Sequence, residues 1–281
     1  MSEHAAEPLV VIAAPNGARL DKTGHPGVPL SAAEIANCAE DLAEVGVSVL
    51  HLHVRDEHGS HVLDADHYRA AMDAIRERVC EALVLQVTTE AVGQYDRQQQ
   101  MALVRELRPE AVSLALREFC PDEAAEDEAG RFFRDVLEAG TWPQYILYSV
   151  NEVRRFERLR QTGFFGQEAP FVLFVLGRYS DSLHGDPADL LAFLDATSPG
   201  VIPWAVCCFG AREAEAVCLA TSLGGHVRIG FENNRTLPDG TLARDNAQLV
   251  AAELEQLAGS DASKRPIATA EWVRAHLAGT R

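Results

Sequence analysis

Two histidines spaced two apart are the first chemistry this sequence offers. His51-Leu-His53-Val-Arg55-Asp56 ends an apolar run rich in β-branched residues. Side chains i and i+2 of a strand share a face, so the two imidazoles stand about 6.6 Å apart along the backbone, at ~3.3 Å per residue. Both can then converge on one metal ion. A single histidine in an apolar strand is more often a hydrogen-bonded core residue, but two on one face at a strand end favour a metal site. A third ligand stands far along the chain, where Arg228-Ile-Gly-Phe-Glu232-Asn233-Asn234 follows another apolar run. Two His and one Glu leave a coordination position open and form a known catalytic zinc set. A metal so held acts as a Lewis acid on a carbonyl. Gly230 lets the backbone bend or approach closely beside Glu232. The plainer reading of Glu232 is a loop acid at the surface.

Two more apolar runs end in groups that suit a ligand. One ends in Thr88-Thr-Glu90 and the other in Ser113-Leu-Ala-Leu-Arg117-Glu118. Small hydroxyls can bond a ligand's oxygens, though threonine is also an ordinary strand residue. Arg117 and Glu118 are unusual beside an apolar strand, and a salt bridge over the rim is their plain alternative. His4, His25, His58, His61, His67, His184 and His276 offer no paired geometry. His226 lies on the last strand and could support a metal ligand from behind.

These residues need a scaffold that gathers strand ends. Short apolar runs alternate with amphipathic stretches along the whole chain. The runs are Val10–Ala14, Val47–Val54, Leu83–Thr88, Ala111–Leu116, Gln144–Tyr148, Phe171–Leu176, Trp204–Cys207 and His226–Ile229. Between them lie helical patterns; Ser31-Ala-Ala-Glu34 reads as a capping box, and Tyr68, Met72 and Ile75 form one stripe. A last short helix is expected from Thr269 to Leu277. Alternating β and α elements argue for a parallel sheet covered by helices. Eight such units argue for a (β/α)8 barrel, whose active site lies at the C-terminal strand ends. No G-x-G-x-x-G or G-x-x-x-x-G-K-[ST] fingerprint of an open nucleotide-binding sheet is present.

The 281 residues carry 25 Lys plus Arg against 42 Asp plus Glu, a formal net charge of −17. At ~150 residues per domain the length allows two domains or one barrel. The unbroken series of units makes it one TIM-barrel domain over 1–281, with a helical extension from about residue 260. With 47% hydrophobic and 24% charged residues the composition is that of a globular protein. So acidic a surface repels nucleic acid, whose binding rests on Lys and Arg neutralising phosphates. No apolar run approaches the ~18 residues of a membrane span, and the N-terminus lacks the basic region of a signal peptide. The six cysteines form no C-x-x-C pair and read as reduced thiols. A cytoplasmic protein is therefore expected.

At the level of motifs the sequence resembles the β-keto acid cleavage enzymes from about Val10 to Leu277. The resemblance runs through Ala14-Pro-Asn16-Gly-Ala18, His25-Pro26, the His51–Asp56 block, Gln86-Val-Thr88-Thr89 and Leu173-Phe-Val-Leu-Gly177. It continues through Gly224-Gly-His226-Val-Arg228-Ile-Gly230-Phe-Glu232 and Asn246-Ala-Gln-Leu-Val250. It implies a TIM barrel dependent on zinc or another divalent metal, usually a homotetramer. Its members condense a β-keto acid with acetyl-CoA to give acetoacetate and a new acyl-CoA. It implies that His51, His53 and Glu232 bind the metal and that Thr88 and Ser113 meet the substrate. It also implies that Arg228 supports proton transfer. Asn16, Arg19 and Arg117 join the expected substrate-binding set, and Arg178 could meet coenzyme A phosphates.

Three departures bear on the substrate and the base. Asn233 stands where the family's founding member has Asp, and Asn cannot act as a base at neutral pH. Asn233 then only positions substrate, or another acid serves; Glu118 and Glu90 are the candidates. Arg19 replaces a Glu that meets a substrate amine, and Gln144 and Ile146 replace Glu residues. A neutral or anionic β-keto acid is expected, since Arg19 attracts carboxylates. Two alternatives remain. One is an amidohydrolase-type metal hydrolase, which also uses His-x-His in a barrel. The other is a catalytically inactive metal-binding barrel, which Asn233 keeps open.

Overall fold

The computed structural model describes residues 7–178, 183–198, 200, 202–260 and 265–278; His4 lies outside them. Eight strands form one closed, all-parallel barrel in chain order. They are β1 (Val11–Ala13), β2 (Val49–Leu52), β3 (Val84–Val87), β4 (Ala111–Ala115), β5 (Trp142–Leu147), β6 (Phe171–Leu176), β7 (Trp204–Cys208) and β8 (His226–Ile229). β1 pairs with both β2 and β8, which closes the ring. Nearly every strand residue is buried, as expected of parallel strands covered on both faces.

The helices are α1 (Ala32–Glu44), α2 (Ala65–Val79), α3 (Arg97–Leu107), α4 (Leu116–Phe119), α5 (Glu126–Glu138), α6 (Val150–Gln161), α7 (Asp189–Asp195), α8 (Glu213–Ser222), α9 (Asn246–Ala258) and α10 (Ala270–His276). Their starts have local causes. Ser31 and Glu34 make the expected capping box on α1. Asp64, Asp96, Ser149 and Asp245 accept backbone N–H groups at the starts of α2, α3, α6 and α9. Behind β4–β6 the helix layer is filled by Phe119, Phe132, Phe133, Phe156 and Phe165, all fully buried.

Two differences from the sequence reading matter for the site. The strand expected to run to Leu116 stops at Ala115, and the four-residue helix α4 follows at once. Arg117 and Glu118 therefore sit on a helical turn, where successive side chains do not alternate across a sheet. The segment after 260 is the second. Ala268, Ala270 and Val273 belong to the same buried cluster as Val10, Val49, Val84, Trp142 and Phe171. Arg274 bonds Glu110 at 2.5 Å and the Leu83 carbonyl at 2.9 Å. The C-terminal segment thus covers the N-terminal end of the barrel and leaves the opposite mouth to the ligand.

Candidate active site

His51 and His53 follow Val49 on the inner face of β2, and both are buried. The neighbouring strand fixes the first of them. Gln86 on β3 is the register partner of His51, and its Oε1 lies 2.8 Å from His51 Nδ1. That bond puts the ring proton on Nδ1 and leaves the Nε2 lone pair facing inward. His51 Nε2 and His53 Nε2 are 3.1 Å apart. Glu232 Oε2 lies 3.5 Å from the first and 3.2 Å from the second. Burial pushes the His51 imidazole down to about 3, assisted by the charges of Arg228 and His53 and opposed by Glu232. It is therefore neutral, the metal-binding form. Burial alone would raise the Glu232 carboxyl, but Arg228, His53 and His51 outweigh it and hold the carboxyl well below the usual range.

Glu232 reaches this point because β1 and β8 close on each other. Gly230 has φ +144°, and a Cβ there would stand 2.3 Å from the Ala14 carbonyl oxygen. A Cβ on Gly17 would stand 2.7 Å from Glu232 Cγ. The Glu232 N–H donates to the Ala14 carbonyl at 3.1 Å.

Ligand atoms of His51, His53 and Glu232 all lie within 4.8 Å of one another. Two ring nitrogens and a carboxylate oxygen crowd together, and Glu232 Oε2 has no hydrogen-bond donor among the described residues. Acceptors gathered with too few protons between them fit a divalent cation, and the mixed nitrogen and oxygen set suits zinc. No other such group of three occurs among the described residues.

Arg228 backs the cluster. Its Nη2 donates to Glu232 Oε1 at 3.0 Å, to Asn233 Oδ1 at 3.2 Å and toward Cys207 Sγ at 3.3 Å. Asn233 Nδ2 in turn donates to Glu213 Oε1 and to the Arg228 carbonyl, both at 3.1 Å. Glu213 is buried and hydrogen-bonded to the equally buried Glu253. Burial pushes Glu213 up to about 7 against the bonds from Glu253 and Asn233. Burial and the charge of Glu213 push Glu253 well above the carboxylate range.

A cleft of about 450 Å³ opens above this cluster, lined by Asn16, Arg19, Glu90, Arg178, Phe209 and Glu232 among others. Arg19 is exposed there. Asn16 Nδ2 donates to the carbonyls of Pro29 and His53 at 2.9 and 3.0 Å. Its Oδ1 has no partner among the described residues. Glu90 accepts from Arg178 at 2.9 Å, and Arg178 lies over the Phe209 ring.

The structure gathers seven of the expected site residues: His51, His53, Glu232, Arg228, Asn233, Asn16 and Arg19. Thr88 directly follows β3 and Ser113 lies on β4, and both are buried. Thr88 Oγ1 accepts the Glu90 N–H at 3.1 Å, and Ser113 Oγ has no partner among the described residues. Arg117 and Glu118 stand apart from the cluster. Arg117 bonds Glu152 at 2.5 Å and lies over Tyr148, the salt bridge that was its plain alternative. Glu118 accepts from Gln100 Nε2 at 2.6 Å and from the Ala91 N–H at 3.3 Å. Neither lines the cleft, because α4 turns both off the strand. His226 is also displaced from its expected place behind a ligand. It starts β8, accepts the Val10 N–H at 3.1 Å and stacks on Phe171 at the barrel's other end.

Sequence reasoning gave no role to Gln86, Arg55, Glu213 or Glu253. A glutamine inside the run Val-Leu-Gln86-Val was the available signal for the first. Arg55, buried, donates to the Gly17 carbonyl and fixes the loop after β1. Glu213 lies in the first turn of α8, where an acid ordinarily marks nothing more than a helix start.

A model of the β-keto acid cleavage enzyme family matches residues 8–278. The chain belongs to this family. Among its relatives, the 3-keto-5-aminohexanoate cleavage enzyme of Fusobacterium nucleatum is 32% identical over 249 residues, covering 87% of this chain and 89% of the relative. The 3-oxoadipate:acetyl-CoA acetyltransferase of Cupriavidus necator is 25% identical over 278 residues, covering 96% and 95%. The solved apo structure of ObcA superposes with a TM-score of 0.70 over 90% of this chain and 65% of that one. At 18% identity, that likeness shows the shared barrel fold. Membership in a β-keto acid cleavage family leaves the substrate of this member open, since the two relatives act on different keto acids by name.

Proposed function

We propose that this chain exchanges acyl groups between a neutral or anionic β-keto acid and acetyl-CoA, giving acetoacetate and an acyl-CoA. The bond between the α and β carbons of the keto acid breaks, and its acyl part passes to the coenzyme A sulfur. The remaining two-carbon carboxylate fragment takes the acetyl group. The observation that carries this reading is the His51–His53–Glu232 cluster backed by Arg228 at the floor of the cleft.

Zinc, or another divalent ion, would be held by His51, His53 and Glu232 and would supply Lewis acidity toward a keto oxygen. Arg228 holds Glu232 ionised and adds positive charge where negative charge develops, in a site largely closed to water. Asn233 accepts from Arg228 and has no proton-accepting role. Glu90 is the carboxylate in the cleft wall and the proton acceptor in this reading, in place of Glu118. Arg19 offers an exposed cation at the entrance, and Arg178 lines the same wall within reach of coenzyme A phosphates. Thr88 and Ser113 supply hydroxyls near the reacting end.

The charge of the substrate follows from the same residues. Gln144 and Ile146, on the inner face of β5, carry no charge, and Arg19 repels an amine. The reading also carries a cytoplasmic location, expected from the composition, and a homotetramer, as the resemblance implies. No helix among the described residues is long and apolar enough to cross a membrane.

A panel of β-keto acids with acetyl-CoA, followed by mass detection of acyl-CoA products, tests the reading. Turnover of diacids or neutral acids above aminated ones is expected. Turnover of none of them by the zinc-loaded protein would reject it.

A further inference from the structure

We infer that Glu213 is a positioning residue that sets the orientation of Arg228 through the Asn233 amide. This deepens the proposed function and rests on it. The Asn233 amide has two ends of opposite polarity, and both are engaged. Its Oδ1 accepts from Arg228 Nη2 at 3.2 Å, while its Nδ2 donates to Glu213 Oε1 at 3.1 Å. Glu213 Oε1 accepts at that contact, and the Arg228 carbonyl accepts from the same Nδ2 at 3.1 Å. The amide therefore cannot flip without facing Oδ1 toward a carboxylate.

The consequence reaches the metal cluster. One nitrogen of Arg228 serves Asn233, Glu232 and Cys207 together, and Arg228 Nε has no partner among the described residues. The guanidinium thus depends on the Oδ1 of Asn233 for its aim at Glu232. Asn233 is anchored as well by its own backbone, whose carbonyl accepts the Gly210 N–H at 3.0 Å. Arg228 meets Glu232 directly on one side and Glu213 through a neutral amide on the other. The four side chains Glu213, Asn233, Arg228 and Glu232 form one hydrogen-bonded line from α8 to the metal-binding face.

Relocated charge makes a testable sign. Asn233→Asp alone sets a new carboxylate against Glu213, and kcat should fall about tenfold. Glu213→Gln alone removes the charge and weakens one of the two acceptors that hold the amide, and kcat should again fall about tenfold with KM within twofold. The double variant moves the carboxylate forward onto Arg228 and should recover to within about threefold of the parent. The same four zinc-loaded proteins are compared by thermal unfolding, which needs no substrate. Asn233→Asp should lower the midpoint in the parent and raise it, or leave it unmoved, in the Glu213→Gln background. Additive losses in both measurements would overturn the inference, since a residue that merely fills space gives no compensation. Compensation in unfolding with no turnover by the parent would keep the line of contacts and reject the proposed function instead.

Discussion

At the metal cluster three acceptor atoms face one another, and that arrangement sets the first expectation. Removing any ligand leaves two donors, too few for a stable site in a mixed His and Glu set. His51→Ala, His53→Ala and Glu232→Ala should each lose bound zinc and activity together, read by elemental analysis of the purified protein. Full zinc occupancy in His51→Ala would contradict the ligand assignment. In the proposed function Arg19 acts on choice of substrate rather than on chemistry. Arg19→Glu should raise kcat/KM for an aminated β-keto acid relative to a diacid by at least tenfold. An unchanged ratio would show that Arg19 does not meet the substrate's far end. The residues of the cluster were legible in the sequence because His-x-His and Gly-x-Glu carry their meaning in local spacing. Gln86, Glu213 and Glu253 were not, because each matters through a partner distant in the chain. A glutamate in the first turn of α8 and another inside α9 give no local sign that burial will raise both.

At the scale of elements, strand ends decide what reaches the cleft. Alternation along β2 was readable, and it places His51 and His53 on the inner face even though the ladder stops at Leu52. The turn into α4 was not readable, because Leu116-Arg-Glu-Phe119 is short and carries no cap. That single helical turn gives Arg117 to Glu152 and Glu118 to Gln100. The seam between β1 and β8 has its own test. Gly230 at φ +144° faces the Ala14 backbone, so Gly230→Ala forces both strain and a clash. Strain of this kind costs about 1–3 kcal/mol before the clash is added. Gly230→Ala should lower the thermal midpoint by several degrees and weaken zinc binding, since Glu232 hangs from that turn. A variant with wild-type melting and zinc affinity would show that the seam can relax.

Over the whole molecule, the eightfold alternation made the barrel legible, while the charge of −17 posed a problem for the anionic substrates proposed. The distribution of charge answers it. Acids crowd the outer helices, as at Glu126, Asp127 and Glu128 in the first turn of α5. The cleft is lined instead by Arg19, Arg178 and Arg235 against Glu90 and Glu232. Composition alone could not separate mouth from outer wall. Salt reads which field the substrate feels, because exposed charges are screened beyond ~10 Å at 0.1 M. KM for a diacid should rise with ionic strength if the cleft arginines govern capture. A fall would mean that the global negative charge dominates.

The central claim is the fate of the acetyl carbons, and isotope tracing tests it most directly. Acetyl-CoA labelled with carbon-13 at both acetyl carbons is incubated with the zinc-loaded protein and a β-keto acid that turns over. Label is expected at carbons 3 and 4 of acetoacetate, with carbons 1 and 2 unlabelled and one acyl-CoA formed per acetoacetate. Consumption of the keto acid with the label still on acetyl-CoA would mean hydrolysis or decarboxylation, and would contradict acyl exchange.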